Sequence, residues 1–391
     1  MKKKTNQYGD HFLDKSDIES VVNVLKNKNL TSGSEVTLFE KDFSKTVKSK
    51  YALSCINGTA AIHLALLTLN LNKEDLVIVP SITFVATYNA VLMAGAKPII
   101  ADVDGDTGLI KPENVDELMR KFKKKVKAII VVHLNGNITK LNEIKSRYRH
   151  LKIIEDSCHA LGSTYNNKKK QVVGDCMFSD FCTFSFHPVK NITTGEGGMV
   201  TTNNKKKYEK LKLLRSHYLE RLELQDNSFP YTINDLGYNY RLTDIQCALG
   251  RSQLKKLNNF KKYRKKLVGY YLKNFSQESS YIKFVNDNFS DSFWHLFVIK
   301  IDFQKKNISR KVVMKKLKDK GIASQIHYIP LHKHNYIKKK FKFSIVSEYS
   351  GADNYYSKIL TLPLHMNLNS SDINYISKEL LRILGKKIGK N

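Results

Sequence analysis

The chain has 391 residues, 41% hydrophobic and 26% charged, enough for a large core and two domains of an ordinary soluble globular protein. Its net charge of +30 would suit a nucleic-acid binder. But the lysines are scattered in short clusters (122–127, 168–170, 205–207, 261–266 and 337–342) with no binding motif, so the charge reads as solvated faces whose field would attract an anionic substrate. No apolar window is long enough to span a bilayer, and the basic start lacks an apolar segment behind it, so the expected location is cytoplasmic.

The first amphipathic stretch, 18–27, places Ile18, Val21, Val22 and Leu25 on one helical face, and Leu30-Thr31-Ser32-Gly33 ends it. A second helix is predicted over 35–47. Residues 51–56 read as a strand that turns through Asn57-Gly58-Thr59 into an apolar helix, 60–69. Strands over 75–79, 97–102, 126–133 and 152–155 alternate with helices over 84–93, 115–123 and 141–148. This alternation predicts an α/β sandwich with a mainly parallel sheet. A further strand, 181–186, precedes a change of pattern: a helix over 205–215, a polar connection over 219–233, and a helix over 243–255 that continues through the basic segment 259–274. Strands at 294–301 and 322–328 flank a helix at 309–320, and a helix at 371–384 closes the chain. The predicted division is an N-terminal arm and large domain over 1–255 and a smaller α+β domain over 256–391.

Lys190 is the residue around which chemistry gathers. It follows the strand 181–186 in Phe184-Ser185-Phe186-His187-Pro188-Val189-Lys190, ahead of a turn rich in Thr and Gly. Glu155-Asp156 closes another apolar run, 151–154. A lysine at one strand end and an aspartate at another are what pyridoxal phosphate chemistry needs: an amine for the cofactor's aldehyde and a carboxylate for its protonated ring nitrogen. Asp156 could equally cap a following helix. Asn57-Gly58-Thr59 lies at a strand-to-helix junction, where free N–H groups and the helix dipole favour a phosphate and Gly58 permits close approach; an ordinary turn can have the same sequence. Ser185 could bind that phosphate or simply bond to backbone. His159 could bond the cofactor's phenolic oxygen, pack on its ring or be structural. Phe84 is a candidate for stacking on the pyridine face, against the alternative of core packing. The five cysteines, 55, 158, 176, 182 and 247, have no CxxC spacing, so neither a disulfide framework nor a zinc site is implied.

The order of these motifs — phosphate turn, aromatic, Glu-Asp-x-x-His, Ser-Phe-His-x-x-Lys — resembles the DegT/DnrJ/EryC1/StrS family of aminotransferases that act on nucleotide-linked sugars. The likeness continues in Gly237-Tyr238-Asn239-Tyr240-Arg241-Leu242-Thr243-Asp244-Ile245-Gln246-Cys247-Ala248-Leu249-Gly250 and in Gln325-Ile326-His327-Tyr328-Ile329-Pro330, so it spans essentially the whole chain. It implies the fold-type-I, aspartate aminotransferase-like architecture, with Lys190 as the catalytic lysine. It also implies Gly58, Thr59, Phe84, Asp156, His159, Ser185 and Asn239 at pyridoxal 5′-phosphate. Asn239 is implied to reach the neighbouring chain's cofactor phosphate, which makes the protein a homodimer with shared active sites.

A narrower likeness is carried by Lys28-Asn29-Leu30-Thr31, Ser157-Cys158-His159-Ala160-Leu161-Gly162-Ser163, the stretch from Ser185 to Gly198, and Leu214-Arg215-Ser216-His217. These resemble the 4-aminotransferases of pseudaminic acid biosynthesis. The resemblance implies a UDP-linked 4-keto-6-deoxy-N-acetylhexosamine as acceptor and UDP-4-amino-4,6-dideoxy-N-acetyl-β-L-altrosamine as product. It places Tyr8, Lys28, Thr31, His327 and Tyr328 against the sugar nucleotide, with L-glutamate as the amino donor. No metal, nucleic acid or membrane partner is expected. The phosphate turn departs from its relatives, reading Asn-Gly-Thr where Ser-Gly-Thr or Asn-Ser-Ala is common.

The implied reaction is ping-pong, with Lys190 moving a proton between the amino acid's Cα and the cofactor's C4′, first as base and then as acid. One alternative is a different UDP- or GDP-4-keto-6-deoxy sugar, of the bacillosamine or perosamine type. A second is a non-catalytic regulatory or nucleic-acid-binding protein on the same fold, for which only the charge speaks. The presence of both Asp156 and Lys190 argues against it. The family's 3-dehydratases carry a histidine where Lys190 stands, which disfavours that branch.

Overall fold

Alternate residues of the apolar runs face opposite ways. In the computed structural model, which describes residues 6–165, 171–221, 230–285, 291–346 and 348–385, Ile78, Ile129, Val131 and Ile153 lie in one buried cluster. Val77, Val79, Ala128, Ile130 and Ile154 lie in another. Such a sheet is buried on both faces, which is why its strands read as continuous hydrophobic runs.

The sheet has seven strands: β1 (Tyr51–Cys55), β2 (Leu76–Pro80), β3 (Lys97–Ala101), β4 (Val126–Val132), β5 (Lys152–Asp156), β6 (Phe181–Ser185) and β7 (Gly198–Thr202). Their order is β1-β7-β6-β5-β4-β2-β3. The pairs from β3 across to β6 are parallel. β7 runs antiparallel to both neighbours, with Tyr51 opposite Thr202 and Phe184 opposite Met199. The mainly parallel α/β architecture is therefore as predicted, except that the sequence reading omitted β7. Its Val200-Thr201-Thr202 favour a strand, but the glycines ahead of them read as a turn. Helices Gly58–Leu67, Val85–Met93, Pro112–Phe122 and Leu141–Arg147 connect these strands, Lys205–Arg215 follows β7, and Lys15–Asn27 and Ser34–Val47 pack on Asp244–Lys255.

Three expectations need correction. The connection 219–233 is not wholly irregular: its ends pair as β8 (Leu219–Arg221) and β9 (Tyr231–Ile233), because their apolar and β-branched residues suit a ladder. Residues 222–229 lie outside the described residues. The long helix from 243 to 274 is two, Asp244–Lys255 and Leu257–Phe275. They meet at Lys256, whose amine reaches back to Asp14 and Asp17. The second sheet is antiparallel, in the order β10 (Ile282–Phe284), β11 (Phe297–Ile301), β12 (Ile359–Leu362). Segment 322–328 is no strand; it makes only isolated bridges, Asn6 with Ile322 and Gln325 with Thr361. Its polar Ser324, Gln325 and His327 break the apolar alternation, and β12 takes the place expected for it.

Leu267, Tyr271 and Phe275 cover the second sheet from one helix, and Ile373, Ile376 and Leu380 from the helix Ser370–Ile383. Helices Asn335–Lys340 and Ser350–Lys358 were not anticipated. Ile337, Ala352 and Tyr355 from them join the same buried cluster as Val77 and Val79, so the chain returns to the large sheet near its end. Among the described residues no helix is long and apolar enough to cross a membrane. Among them, too, no group of three His, Cys, Asp or Glu side chains could hold a metal ion.

Candidate active site

Parallel strands share one carboxyl edge, and their loops meet there. At the end of β1, Asn57 caps the helix Gly58–Leu67 by accepting the Ala60 N–H at 2.8 Å. The N–H groups of Gly58 and Thr59, in the first turn, have no partner within the helix, and the dipole makes that end attractive to an anion. A Cβ on Gly58 would stand 2.8 Å from Ser185 Cβ and 3.2 Å from Cys158 Sγ. The missing side chain is what lets the helix end approach the end of β6. The first-turn N–H groups and the Ser185 hydroxyl are thereby neighbours, a pairing that suits an anion such as phosphate.

Asp156 ends β5 and is buried. Its Oδ2 accepts from the Thr87 hydroxyl at 2.8 Å, and Thr87 is in turn 2.8 Å from Thr83 Oγ1. Its Oδ1 accepts the Cys158 N–H at 3.2 Å. Residues 158–162 form turns and no helix follows the strand, so Asp156 caps none. Glu155 points to the other side, where it meets His133 Nε2 at 2.7 Å, Cys182 Sγ at 3.0 Å, and the Ser179 and Tyr165 hydroxyls. Burial alone would raise the Glu155 carboxyl, but hydrogen bonds from His133, Ser179 and Tyr165 outweigh it and hold the group below its ordinary value. The strand end bearing Asp156 is thus tied down on both faces.

Lys190 follows β6 in a tight turn, its N–H donating to the His187 carbonyl at 2.8 Å. Burial pushes its pKa below the usual lysine value, against the opposing pull of the Cys158 and Asp156 side chains close by. An amine so placed sheds its proton more readily than one in water, as a nucleophile must. The Cys158 thiol is pushed the other way, by burial and by the Asp156 charge, and remains a thiol.

His159 is held from two sides. The Asn135 N–H donates to Nδ1 at 3.3 Å, and Nε2 lies 3.2 Å from the Tyr328 hydroxyl. A backbone N–H can only donate, so Nδ1 accepts and the neutral ring carries its hydrogen on Nε2, directed at the Tyr328 oxygen. Burial, then the Lys190 charge, pushes its pKa well below the usual histidine value. Asn135 adopts φ +61° to aim its N–H, a conformation asparagine tolerates. The His295 ring lies against His159, with centroids 4.3 Å apart. His327 Nδ1 is 2.9 Å from Thr361 Oγ1, and burial with the Lys190 charge lowers its pKa to about 3. Tyr328 is raised by burial and by Asp156. The Tyr8 ring is 5.5 Å from that of His327, and a Cβ on Gly9 would come 3.3 Å from Val189 in the Lys190 turn. Phe84 is 57% exposed, with its ring centroid 5.9 Å from Tyr328's, so it stands at the mouth and not in the core.

One chain therefore brings Gly58, Thr59, Phe84, Asp156, His159, Ser185, Lys190, Tyr8, His327 and Tyr328 together. Three other expected residues join different contacts. Asn239 is exposed and bridges Ser216; its neighbour Tyr240 accepts the Ile56 N–H at 2.9 Å. Thr31 is exposed and bridges Thr243, and Lys28 pairs with Glu35. Thr87, Asn135, Cys158 and His295 escaped sequence reasoning as site residues. Only the Thr83/Thr87 spacing, one helical turn, carried a local signal for any of them.

Comparison with known proteins agrees with this geometry. The model of the DegT/DnrJ/EryC1/StrS aminotransferase family matches residues 12–381. The chain is 36% identical over 383 residues to the UDP-4-amino-4,6-dideoxy-N-acetyl-beta-L-altrosamine transaminase of Campylobacter jejuni, covering 97% of each. Among solved structures it is similar to Helicobacter pylori PseC, an aminotransferase involved in the biosynthesis of pseudoaminic acid, with a TM-score of 0.89, 30% identity, and coverage of 97% of this chain and 99% of that one. It also resembles the PLP form of the sugar aminotransferase Spr1654 from Streptococcus pneumoniae, with a TM-score of 0.86, 26% identity, and coverage of 97% and 98%. With the family model matching residues 12–381 and the residues around Asp156 and Lys190 gathered at one sheet edge, this protein belongs to the DegT/DnrJ/EryC1/StrS aminotransferase family.

Proposed function

We propose that this chain moves the amino group of L-glutamate to C4 of a UDP-linked 4-keto-6-deoxy-N-acetylhexosamine, giving UDP-4-amino-4,6-dideoxy-N-acetyl-β-L-altrosamine for pseudaminic acid biosynthesis, with pyridoxal 5′-phosphate as cofactor. The observation that carries this reading is the convergence of Lys190, Asp156 and the Gly58–Ser185 cradle on one edge of the sheet. Similarity to the Campylobacter jejuni transaminase and to PseC supports the choice of sugar.

The residues fit the cofactor. The cradle offers the N–H groups of a helix start and the Ser185 hydroxyl, brought close by the absence of a side chain at Gly58, to a phosphate. Bound there, pyridoxal phosphate supplies an electron sink for the bond electrons at an amino acid's Cα. Asp156, fixed by the Thr87 hydroxyl and the Cys158 N–H, holds the proton on the ring nitrogen. With the cofactor held there, Lys190 would take the proton from the amino acid's Cα and, in the second half of the reaction, return a proton to C4 of the sugar; its lowered pKa suits its service as a base. His159 stays neutral, locked by Asn135 and Tyr328, so it orients without adding charge. Phe84, at the mouth beside Tyr328, would cover the open side of the ring and keep water out. Tyr8, His327 and Tyr328 receive the sugar nucleotide from the same chain.

We further infer a homodimer with shared active sites. Lys28, Thr31 and Asn239 are exposed, and Ile18, Val22, Leu25 and Leu30 make an exposed apolar stripe beside the first two. A second copy would cover that stripe and take Asn239 to its own cofactor phosphate. The proposed compartment is the cytoplasm, where reducing conditions keep buried thiols such as Cys176 and Cys182 free. The test is a panel of UDP- and GDP-linked 4-keto-6-deoxy sugars with L-glutamate, scored for amino sugar and 2-oxoglutarate. Preference for the UDP-linked N-acetylhexosamine is expected. Preference for a GDP sugar would overturn the substrate, and no amination of any sugar would overturn the activity.

A further inference from the structure

Asp244 is 1% exposed and takes no part in the chemistry above. It stands in the first turn of Asp244–Lys255 but does not cap that helix. Thr243 does so, in a capping box with Gln246. Asp244 reaches instead to a distant part of the chain. Its Oδ2 accepts the Gly33 N–H at 2.8 Å and its Oδ1 the Glu35 N–H at 2.9 Å. These are orphan donors at the start of helix Ser34–Val47, whose own N-cap, Gly33, has no side chain to offer them. The carboxylate is therefore an imported cap, with its charge at the helix's positive end.

The backbone is stitched at the same place. The Asp244 N–H donates to the Leu30 carbonyl at 3.0 Å, and Thr243 bridges Thr31. There is no slack in the fit. A Cβ on Gly33 would stand 2.7 Å from Asp244 Oδ1, although its φ of −97° is open to any residue. Glu35, whose N–H Asp244 holds, presents its carboxylate to Lys28 and Arg251. One buried carboxylate thus fixes the backbone around Thr31 and, through Glu35, the amine of Lys28.

We propose that Asp244 is a positioning residue for sugar-nucleotide binding, holding the Lys28–Thr31 loop in the shape that meets the substrate without touching the substrate itself. This rests on the reading of Lys28 and Thr31 as sugar-nucleotide contacts. An amide of the same shape has one acceptor and turns its own N–H groups toward a donor, so Asp244→Asn loses one of the two bonds. In the holoenzyme we expect KM for the UDP-linked keto sugar to rise about tenfold, the scale of one charge-assisted hydrogen bond. The kcat at saturating sugar, and the L-glutamate half-reaction followed by cofactor absorbance without sugar, should stay within about twofold of wild type.

Gly33→Ala crowds Asp244 without removing it and should give the same split; it decides the matter if Asp244→Asn does not fold. An unchanged sugar KM overturns the proposal. So does a glutamate half-reaction slowed as much as KM is raised, which is what a general loss of structure would give. Lys28→Ala and Thr31→Val separate the two levels. If neither raises KM, the loop lies outside the sugar site and the substrate reading falls with the proposal. If both raise it while Asp244→Asn and Gly33→Ala do not, only the positioning role fails.

Discussion

Gly58, Asp156, Ser185 and Lys190 stand at strand ends that two buried clusters hold from both faces of the sheet, whereas Lys28, Thr31 and Asn239 stand in exposed segments held by isolated bridges and one imported cap. The first group is preorganised. Its side chains are fixed before any ligand arrives, which is what proton transfer at a stated atom demands. The second group has the makings of a contact surface: exposed polar side chains beside an apolar stripe, with room for a second chain and for a large substrate. On the proposed reading, the contrast puts chemistry in the core-anchored group and leaves the exposed one for recognition.

The sharpest break would come at Lys190. Lys190→Ala should fold and lower transamination by roughly a thousandfold or more, since it removes the only proposed carrier of the proton. Borohydride reduction of the wild-type holoenzyme, followed by peptide mapping, should find the cofactor on Lys190; an adduct on another lysine would refute the assignment. Asp156→Asn should keep the cofactor but turn over about a hundredfold more slowly, because an amide holds the ring proton without charge. Near-normal turnover would place Asp156 among the structural residues.

Asn239→Ala probes the exposed group, and about a tenfold weaker retention of cofactor is expected from one lost hydrogen bond to phosphate. Mixing Asn239→Ala chains with Lys190→Ala chains then tests whether the residue acts across the dimer. In trans, one of the two sites is whole and about half the wild-type activity returns. In cis, every site carries a lesion, and at limiting cofactor a confirmed mixed dimer is no more active than Asn239→Ala alone.

The smallest effect concerns pH. His159, His295 and His327 all have pKa values lowered by burial, His327 from 6.5 to about 3. Above pH 6.5 both folded and unfolded states leave these rings neutral, so the term vanishes. As pH falls from 6.5 toward about 3, the unfolded chain takes up protons that the folded chain refuses, and stability drops. A fall in Tm of about 5 °C between pH 7 and pH 5 is expected, with a shallower slope in His327→Gln. A flat Tm over that range would contradict the buried, neutral assignment.

Much of the core-anchored group could be read from sequence because its signals are local. An apolar run ended by Asp or Lys, or a strand turned by Asn-Gly-Thr into an apolar helix, needs no knowledge of the rest of the chain. Thr87 and His295 matter only through residues far away in sequence: Thr87 meets Asp156 across 69 positions, and His295 lies on His159. The strand expected at 322–328 failed for a related reason. Its apolar Ile322, Ala323, Ile326 and Tyr328 suggest a strand, but the polar residues between them break the alternation, and Ile359–Leu362 pairs with Phe297–Ile301 instead. Asp244 sat in plain view within a family motif, yet its role depends on a glycine more than two hundred residues earlier.

The strand order β1-β7-β6 also governs when, during synthesis, a cofactor site can exist. The Gly58 turn leaves β1 and Ser185 ends β6, yet these strands are neighbours only through β7, which ends at Thr202. A nascent chain with its glycine turn, aspartate and lysine already outside the ribosome still lacks the piece that joins the two halves of the cradle. Closing the span from Tyr51 to Thr202 is the long-range, slowly formed kind of contact. A cofactor that binds at this edge therefore meets a sheet whose two halves have already been joined, and it stabilises that closed sheet rather than templating the early half of the fold.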